Sequence, residues 1–309
     1  MRKSTLGLII GFVFLWNSGF IGAEYGLPYT GPFTLLFWRY LALTFVIFLY
    51  LLVINRFRWV GLSTMALNML VGILAHGVWL GCVLISLDYN VPAGIVALVV
   101  ALQPLATGAF SGIVVGEQTP LARWLGLIIG FGGVAITVLS RINFGDTESI
   151  FGYLIPLGSV IAITAASLIQ RKMQITDTPH RLPVDLSLFY QSLGTVLVFA
   201  LPAIFAEKLE TEWMPGFVYS MIWLILGVSL GAYALMWLLI ERIDATRVAS
   251  LFYLGPPVTM LMAWIAFGDT LQITDIIGLL VVFVGVLLTQ MKLKTTTGPN
   301  LRSQLKQYK

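Results

Sequence analysis

The feature that most constrains this chain is a succession of long apolar runs separated by short connections rich in Pro, Gly or charge. A run of about 20 apolar residues matches the roughly 30 Å hydrocarbon core of a bilayer. In lipid such a run must satisfy its own backbone hydrogen bonds, which admits helices and excludes open strands. The pattern predicts ten helices near 5–23, 32–54, 63–87, 92–115, 121–140, 150–171, 183–206, 216–240, 245–267 and 272–291. Connections such as Pro28-Tyr-Thr-Gly-Pro32 and Gly116-Glu-Gln-Thr-Pro120 leave no room for a soluble domain. Composition agrees: 58% of residues are hydrophobic and 10% charged, where a soluble domain carries about a quarter charged residues. The expected fold class is therefore an all-α integral membrane protein.

A second pattern divides the chain. Pro104, Gly116, Glu117, Gly126 and Gly133 recur 152 positions later as Pro256, Gly268, Asp269, Gly278 and Gly285. Two similar halves are implied, 1–140 and 141–291, each of five helices, followed by a basic tail at 292–309. Because five is odd, the second half enters the membrane from the opposite side, giving inverted repeats. Orientation follows from Lys and Arg. With the N-terminus inside, fifteen fall on cytoplasmic segments and two, Arg141 and Lys208, on outer ones. Arg39 is left within a helix. Both termini are thus expected in the cytoplasm, and the tail is expected at anionic lipid or in solution.

The stretch from Asp88-Tyr-Asn-Val-Pro-Ala-Gly94 through Gln103-Pro104 to Gly116-Glu117 and Gly126–Gly133 resembles the drug/metabolite transporter superfamily, in its EamA-type ten-helix branch. The likeness recurs from Ile243-Asp-Ala-Thr-Arg-Val-Ala249 through Pro256 to Gly268-Asp269 and Gly278…Gly285. Leu15-Trp16-Asn17-Ser18-Gly19-Phe20 and Trp38-Arg39-Tyr40 extend it, with Asn17 displaced slightly from the family order. The resemblance implies carriage of small metabolites, most often export.

Several residues stand out as lining a central cavity. Pro104 lies about 18 Å into the fourth span, with Pro256 and Pro257 equally deep in the ninth. Each proline is expected to kink its helix and free a carbonyl, Val100 or Phe252, near the midplane. Gln103 sits beside the first kink, facing either substrate or the neighbouring backbone. His76 lies about 20 Å from the cytoplasmic end of the third span, with Trp79 on the same face. Arg39, about 10 Å inside the second span, attracts a substrate anion, bonds to carbonyls or reaches the interface. Asn17, Tyr190, Gln191, Tyr233, Trp237 and Tyr253 complete the set and suit neutral or zwitterionic amphiphiles, although aromatic residues also populate interface belts. Glu117 and Asp269 read as N-terminal stabilisers of the next helix. With no carboxylate at mid-depth, no proton relay of that kind is expected. The lone Cys82 reads as packing, and the small-residue run Gly126-x-x-x-Gly130 as close helix contact within the monomer in preference to an oligomer.

Enzyme motifs are missing from the sequence, as are nucleic-acid, cofactor and metal signatures. The sequence thus predicts a secondary transporter in a bacterial inner membrane. It would export small metabolites such as amino acids by alternating access, with membrane lipid as its surroundings. The alternatives are a non-transporting scaffold or subunit of a lipid-handling complex, and a membrane-embedded transferase.

Overall fold

A computed structural model describes residues 3–88, 96, 99–140, 150–176, 180–268 and 272–291. Arg141, Asp269, the tail at 292–309 and most of the start of the predicted fourth span lie outside these residues. Chain order gives α1 (Lys3–Gly26) and α2 (Pro32–Val53). Helix α3 runs as Leu62–Gly72, Ile73–Val78 and Trp79–Asp88. It is followed by α4 (Gln103–Val114), α5 (Leu121–Leu139), α6 (Ile150–Ile175) and α7 (Val184–Phe205). Helix α8 is built from Pro215–Ile222, Trp223–Ala232 and Tyr233–Arg242. Helix α9 is built from Ala245–Ala249, Ser250–Leu254 and Gly255–Phe267, and α10 is Ile273–Gln290.

Among the described residues the chain is all-helical, apart from one isolated bridge between Thr30 and Thr211. Eight helical spans are long and apolar enough to cross a membrane: Thr5–Tyr29, Pro32–Val53, Leu62–Ser86, Leu154–Ile175, Val184–Phe205, Pro215–Arg242, Ala245–Ala266 and Ile273–Gln290. A ninth apolar stretch, Leu121–Ile136, is shorter. The distribution of polarity is the reverse of a soluble domain. Phe45, Val53, Ile113, Ile161 and Phe205 are exposed, while Asn68, Gln103, Gln170, Gln191 and Ser229 are buried. Lipid takes the apolar exterior, and the polar groups pair within.

Helices α5 and α10 pack antiparallel through paired glycines. A Cβ on Gly126 would lie 2.7 Å from the Gly285 carbonyl oxygen, and one on Gly133 2.9 Å from that of Gly278. A shift of 152 residues exchanges these two contacts. It also relates Gly116 (φ +77°) to Gly268 (φ +75°), each ending a helix in the left-handed conformation that favours glycine. The remaining helices form the bundle that holds the site: α2 lies along α7, α1 along α8 and α9, and α6 along α3 and α4.

Among the described residues two kinds of discontinuity interrupt this bundle, and each occurs twice. Ile73–Val78 in α3 and Trp223–Ala232 in α8 are π-helical. Leu102 and Leu254, also 152 apart, each precede a freshly started helical segment with Pro in its first turn. Pro104, Pro256 and Pro257 therefore begin helices instead of kinking continuous ones. A proline is tolerated there because the first N–H groups of a helix have no intrahelical acceptor. The Phe252 carbonyl, expected to be free, accepts a hydrogen bond from Gly255 N–H.

Candidate functional site

A π segment widens the helical turn by one residue and re-aims the side chains that follow. In α3 this places His76 and Trp79 toward the bundle interior, and in α8 it does the same for Ser229 and Tyr233. The His76 ring centre lies 4.0 Å from that of Tyr233, edge to face, and 5.3 Å from that of Tyr40 on α2. Trp16 of α1 extends the wall, 4.9 Å from Tyr233 and 5.6 Å from Trp79. Arg39 Nε donates to Ser229 Oγ at 2.6 Å, and the guanidinium carbon lies 5.5 Å from the Tyr40 ring centre. Four helices thus supply one buried aromatic and cationic cluster: α1, α2, α3 and α8, the last through Ser229 in its π segment and Tyr233 directly after it.

A polar relay adjoins it. Trp237 Nε1 donates to Gln191 Oε1 at 2.8 Å, and Gln191 Nε2 donates to Ser187 Oγ at 2.9 Å and to Gln170 Oε1 at 3.3 Å. Ser187 in turn donates to Asn68 Oδ1 at 2.7 Å. Close approach of α3 and α7 makes this possible, since Gly72 presses on the Gln191 backbone and Gly194 on that of Met69.

The structure therefore brings together His76, Trp79, Arg39 and Tyr233, with Gln191 and Trp237 alongside. The others lie elsewhere. Asn17 accepts from Thr259 Oγ1 at 3.2 Å and donates to the Val13 carbonyl, tying α1 to α9. Gln103 donates to Thr107 Oγ1, within its own helix, at 3.2 Å. Tyr190 donates to the Arg58 carbonyl in the α2–α3 connection at 3.0 Å. Tyr253 packs its ring against Gly130 of α5, and its hydroxyl has no hydrogen-bond partner. Sequence reasoning missed Trp16, Tyr40 and Ser229 as members of the cluster. For Trp16 and Tyr40 the available signal was their place beside Asn17 and Arg39 in the stretches that carry the family resemblance, and for Ser229 the small-residue window Gly227…Gly231.

Ionic contacts concentrate at the ends of α4, α6, α8 and α9. Arg171 pairs with Glu117 at 2.6 Å and also donates to the Ile240 and Glu241 carbonyls that end α8. The other Glu117 oxygen accepts from Ala245 N–H, the first residue of α9, at 3.1 Å. Glu117 thus stabilises a helix N-terminus as expected, but that of α9 in the other half and not of the helix that follows it. Arg123–Asp244 (2.7 Å) and Arg181–Glu241 (2.9 Å) join the same end. At the opposite end, Glu207 accepts from the N–H groups of Phe33 and Thr34 at the start of α2. Cys82 packs against Gly158. Between α1, α8 and α9 a lateral cavity of about 570 Å³ is lined by Phe14, Ile21, Tyr25, Tyr219, Trp223 and Met262.

The sequence profile of the EamA-like transporter family matches residues 3–139 and again residues 150–291. The chain belongs to the EamA-like transporter family. It is an integral membrane transporter and not an enzyme, as the sequence led us to expect. Similar proteins include the uncharacterised transporter YvbV of Bacillus subtilis strain 168, 25% identical over 298 residues covering 95% of this chain and 94% of that one. The uncharacterised inner membrane transporter YedA of Escherichia coli K12 is 27% identical over 288 residues, covering 92% and 90%. A protein of Salmonella typhimurium LT2 named a probable amino-acid metabolite efflux pump is 22% identical over 298 residues, covering 92% and 93%. One crystal structure superposes with a TM-score of 0.77 at 19% identity, covering 94% of this chain and 98% of that one, which supports the fold.

Proposed function

We propose that this transporter exports small amphipathic metabolites, amino acids or close relatives among them, across a bacterial inner membrane. The reading envisages ten spans as two inverted halves, 1–140 and 141–291, with both termini cytoplasmic, rocking about the cluster of His76, Arg39, Trp79 and Tyr233. The single observation that carries it is the meeting of paired discontinuities: π segments in α3 and α8, 150 or so residues apart, flank one buried polar and aromatic cluster. Interrupted helices at equivalent positions of two halves are the usual pointer to a transporter's binding site. The double match of the family profile and the exchange of the α5–α10 glycine contacts support the duplication. The Salmonella relative's name supports amino-acid metabolites as the first compounds to test, and YedA's the inner membrane. A scaffold role has no such observation in its favour.

Flux tests the reading. Vesicles holding the purified protein should release a preloaded amino acid or related amphiphile faster than empty vesicles, with and without a proton gradient. His76→Ala and Trp79→Ala should each slow that release about tenfold or more while inserting normally, the scale expected for loss of a buried polar or aromatic contact. Flux unchanged in both variants would remove the cluster from the mechanism, and no flux of any compound would remove transport.

A further inference from the structure

Four arginines are largely buried among the described residues, Arg39, Arg123, Arg171 and Arg247, and they are treated differently. Arg123 pairs with Asp244 at 2.7 Å. Arg171 has the Glu117 carboxylate and two carbonyls at the end of α8. Arg247 donates to the side chain and the carbonyl of Gln290, at the end of α10. These three cations are thus set against a carboxylate or the negative end of a helix. Arg39 has neither. Among the described residues its one hydrogen bond runs from Nε to the neutral Ser229 hydroxyl, and no carboxylate lies within ion-pairing distance. It is 7% exposed, in the middle of an apolar bundle.

The groups around it are also incomplete. His76 Nδ1 is buried with no hydrogen-bond partner, in a side chain 2% exposed. The Tyr40 hydroxyl is likewise buried with no hydrogen-bond partner. The Arg39 guanidinium carbon lies 5.5 Å from the Tyr40 ring centre, and the His76 ring packs on Tyr40 and Tyr233. A cation without a counter-ion, beside polar atoms without partners, lacks one component: an anionic acceptor. Beside them, the faces of Trp16 and Trp79 offer an apolar, polarisable wall.

Resting on the transport reading above, we propose that the cargo carries a single carboxylate, which docks on the Arg39 guanidinium with His76 and Tyr40 beside it, its apolar or aromatic body lying along Trp16 and Trp79. Charge sets the number of anionic groups. One carboxylate neutralises one guanidinium, whereas a phosphate dianion would leave net negative charge in a site with no second cation among the described residues. Arg suits this role because its planar fork can hold both carboxylate oxygens at once. The Ser229 hydroxyl is a neutral acceptor for Arg39, and a carboxylate is the stronger competitor.

A ligand series on the purified protein tests this directly, read by quenching of intrinsic tryptophan fluorescence. The probes are L-phenylalanine and hydrocinnamate, which carry a carboxylate, and L-phenylalaninamide and phenethylamine, which do not. Both carboxylates should bind saturably, the other two about tenfold more weakly or worse, since a charge-assisted contact is lost. Arg39→Gln should bring the carboxylates down to the level of the amide, and Arg39→Lys should keep part of the preference. If Arg39→Gln does not yield a monodisperse protein, the wild-type series decides alone. Equal binding of all four, a preference that survives Arg39→Gln, or no saturable response to any probe overturns the proposal. Flux of other compounds in vesicles would meanwhile leave the transport reading standing, so the two failures are distinguishable.

Discussion

At the residue scale, single side chains here serve elements far away in sequence. Glu117 follows α4, yet its carboxylate holds Arg171 of α6 and the first N–H of α9. Its side chain is 14% exposed and that of Arg171 11%, so the pair is largely removed from solvent screening. Removing one partner of such a pair leaves an uncompensated charge and costs about 3 kcal/mol. Glu117→Ala and Arg171→Ala should therefore each lower the melting temperature of the detergent-solubilised protein. The double variant should lose clearly less than the two losses added, because the partners act as a unit. Additive losses in the thermal melts would show that the contact carries no coupling energy. Residue type and depth alone marked His76, Arg39, Trp79 and Tyr233 for the site, and the structure places these four together. Tyr190 and Gln103 were chosen on the same grounds but bond locally, to Arg58 and Thr107. Polarity at mid-span says that a partner is needed and not whether that partner is substrate, backbone or a neighbouring side chain.

At the scale of elements, the chain depends on helices that touch backbone to backbone and on helices that are interrupted. On α5, Gly130 meets Gly285 and the Tyr253 ring, whereas a Cβ on Gly132 would meet nothing within 4 Å. Gly285→Leu should therefore abolish monodisperse protein on size-exclusion chromatography, and Gly132→Leu should not. Equal behaviour of the two would refute the packing described for α5 and α10. The eight membrane-length helices were legible in the sequence because about 20 apolar residues in a row have few other uses in a bilayer. The π segments were not, since an extra residue in a turn changes the hydrogen-bond register and leaves composition untouched. The prolines gave the location of the breaks in α4 and α9 but not their form. Proline forbids a hydrogen bond at one site, and the chain meets that constraint either by bending a helix or by starting a new one. Near Leu102 and Leu254 it starts new ones.

At the scale of the whole molecule, the 152-residue period in sequence reappears as exchanged contacts: Gly126 with Gly285, and Gly133 with Gly278. Both ends of the α2–α7 pair are tied, by Glu207 at the start of α2 and by Arg56–Asp185 (3.2 Å) at the start of α7. The cluster between them is closed, with Tyr40, His76 and Tyr233 all buried. On the proposed reading, substrate would enter and leave by relative movement of helices, and a reporter fused after residue 309 should be active only in the cytoplasm, the side proposed for both termini. The central claim is that this closed cluster opens to each side in turn. Ser229→Cys, placed beside Arg39 in a Cys82→Ser background, measures that claim most directly when exposed to a membrane-impermeant thiol reagent in right-side-out and inside-out vesicles. The account predicts labelling from both sides, slowed from both by a transported compound. Labelling confined to one side, in every condition, would contradict it.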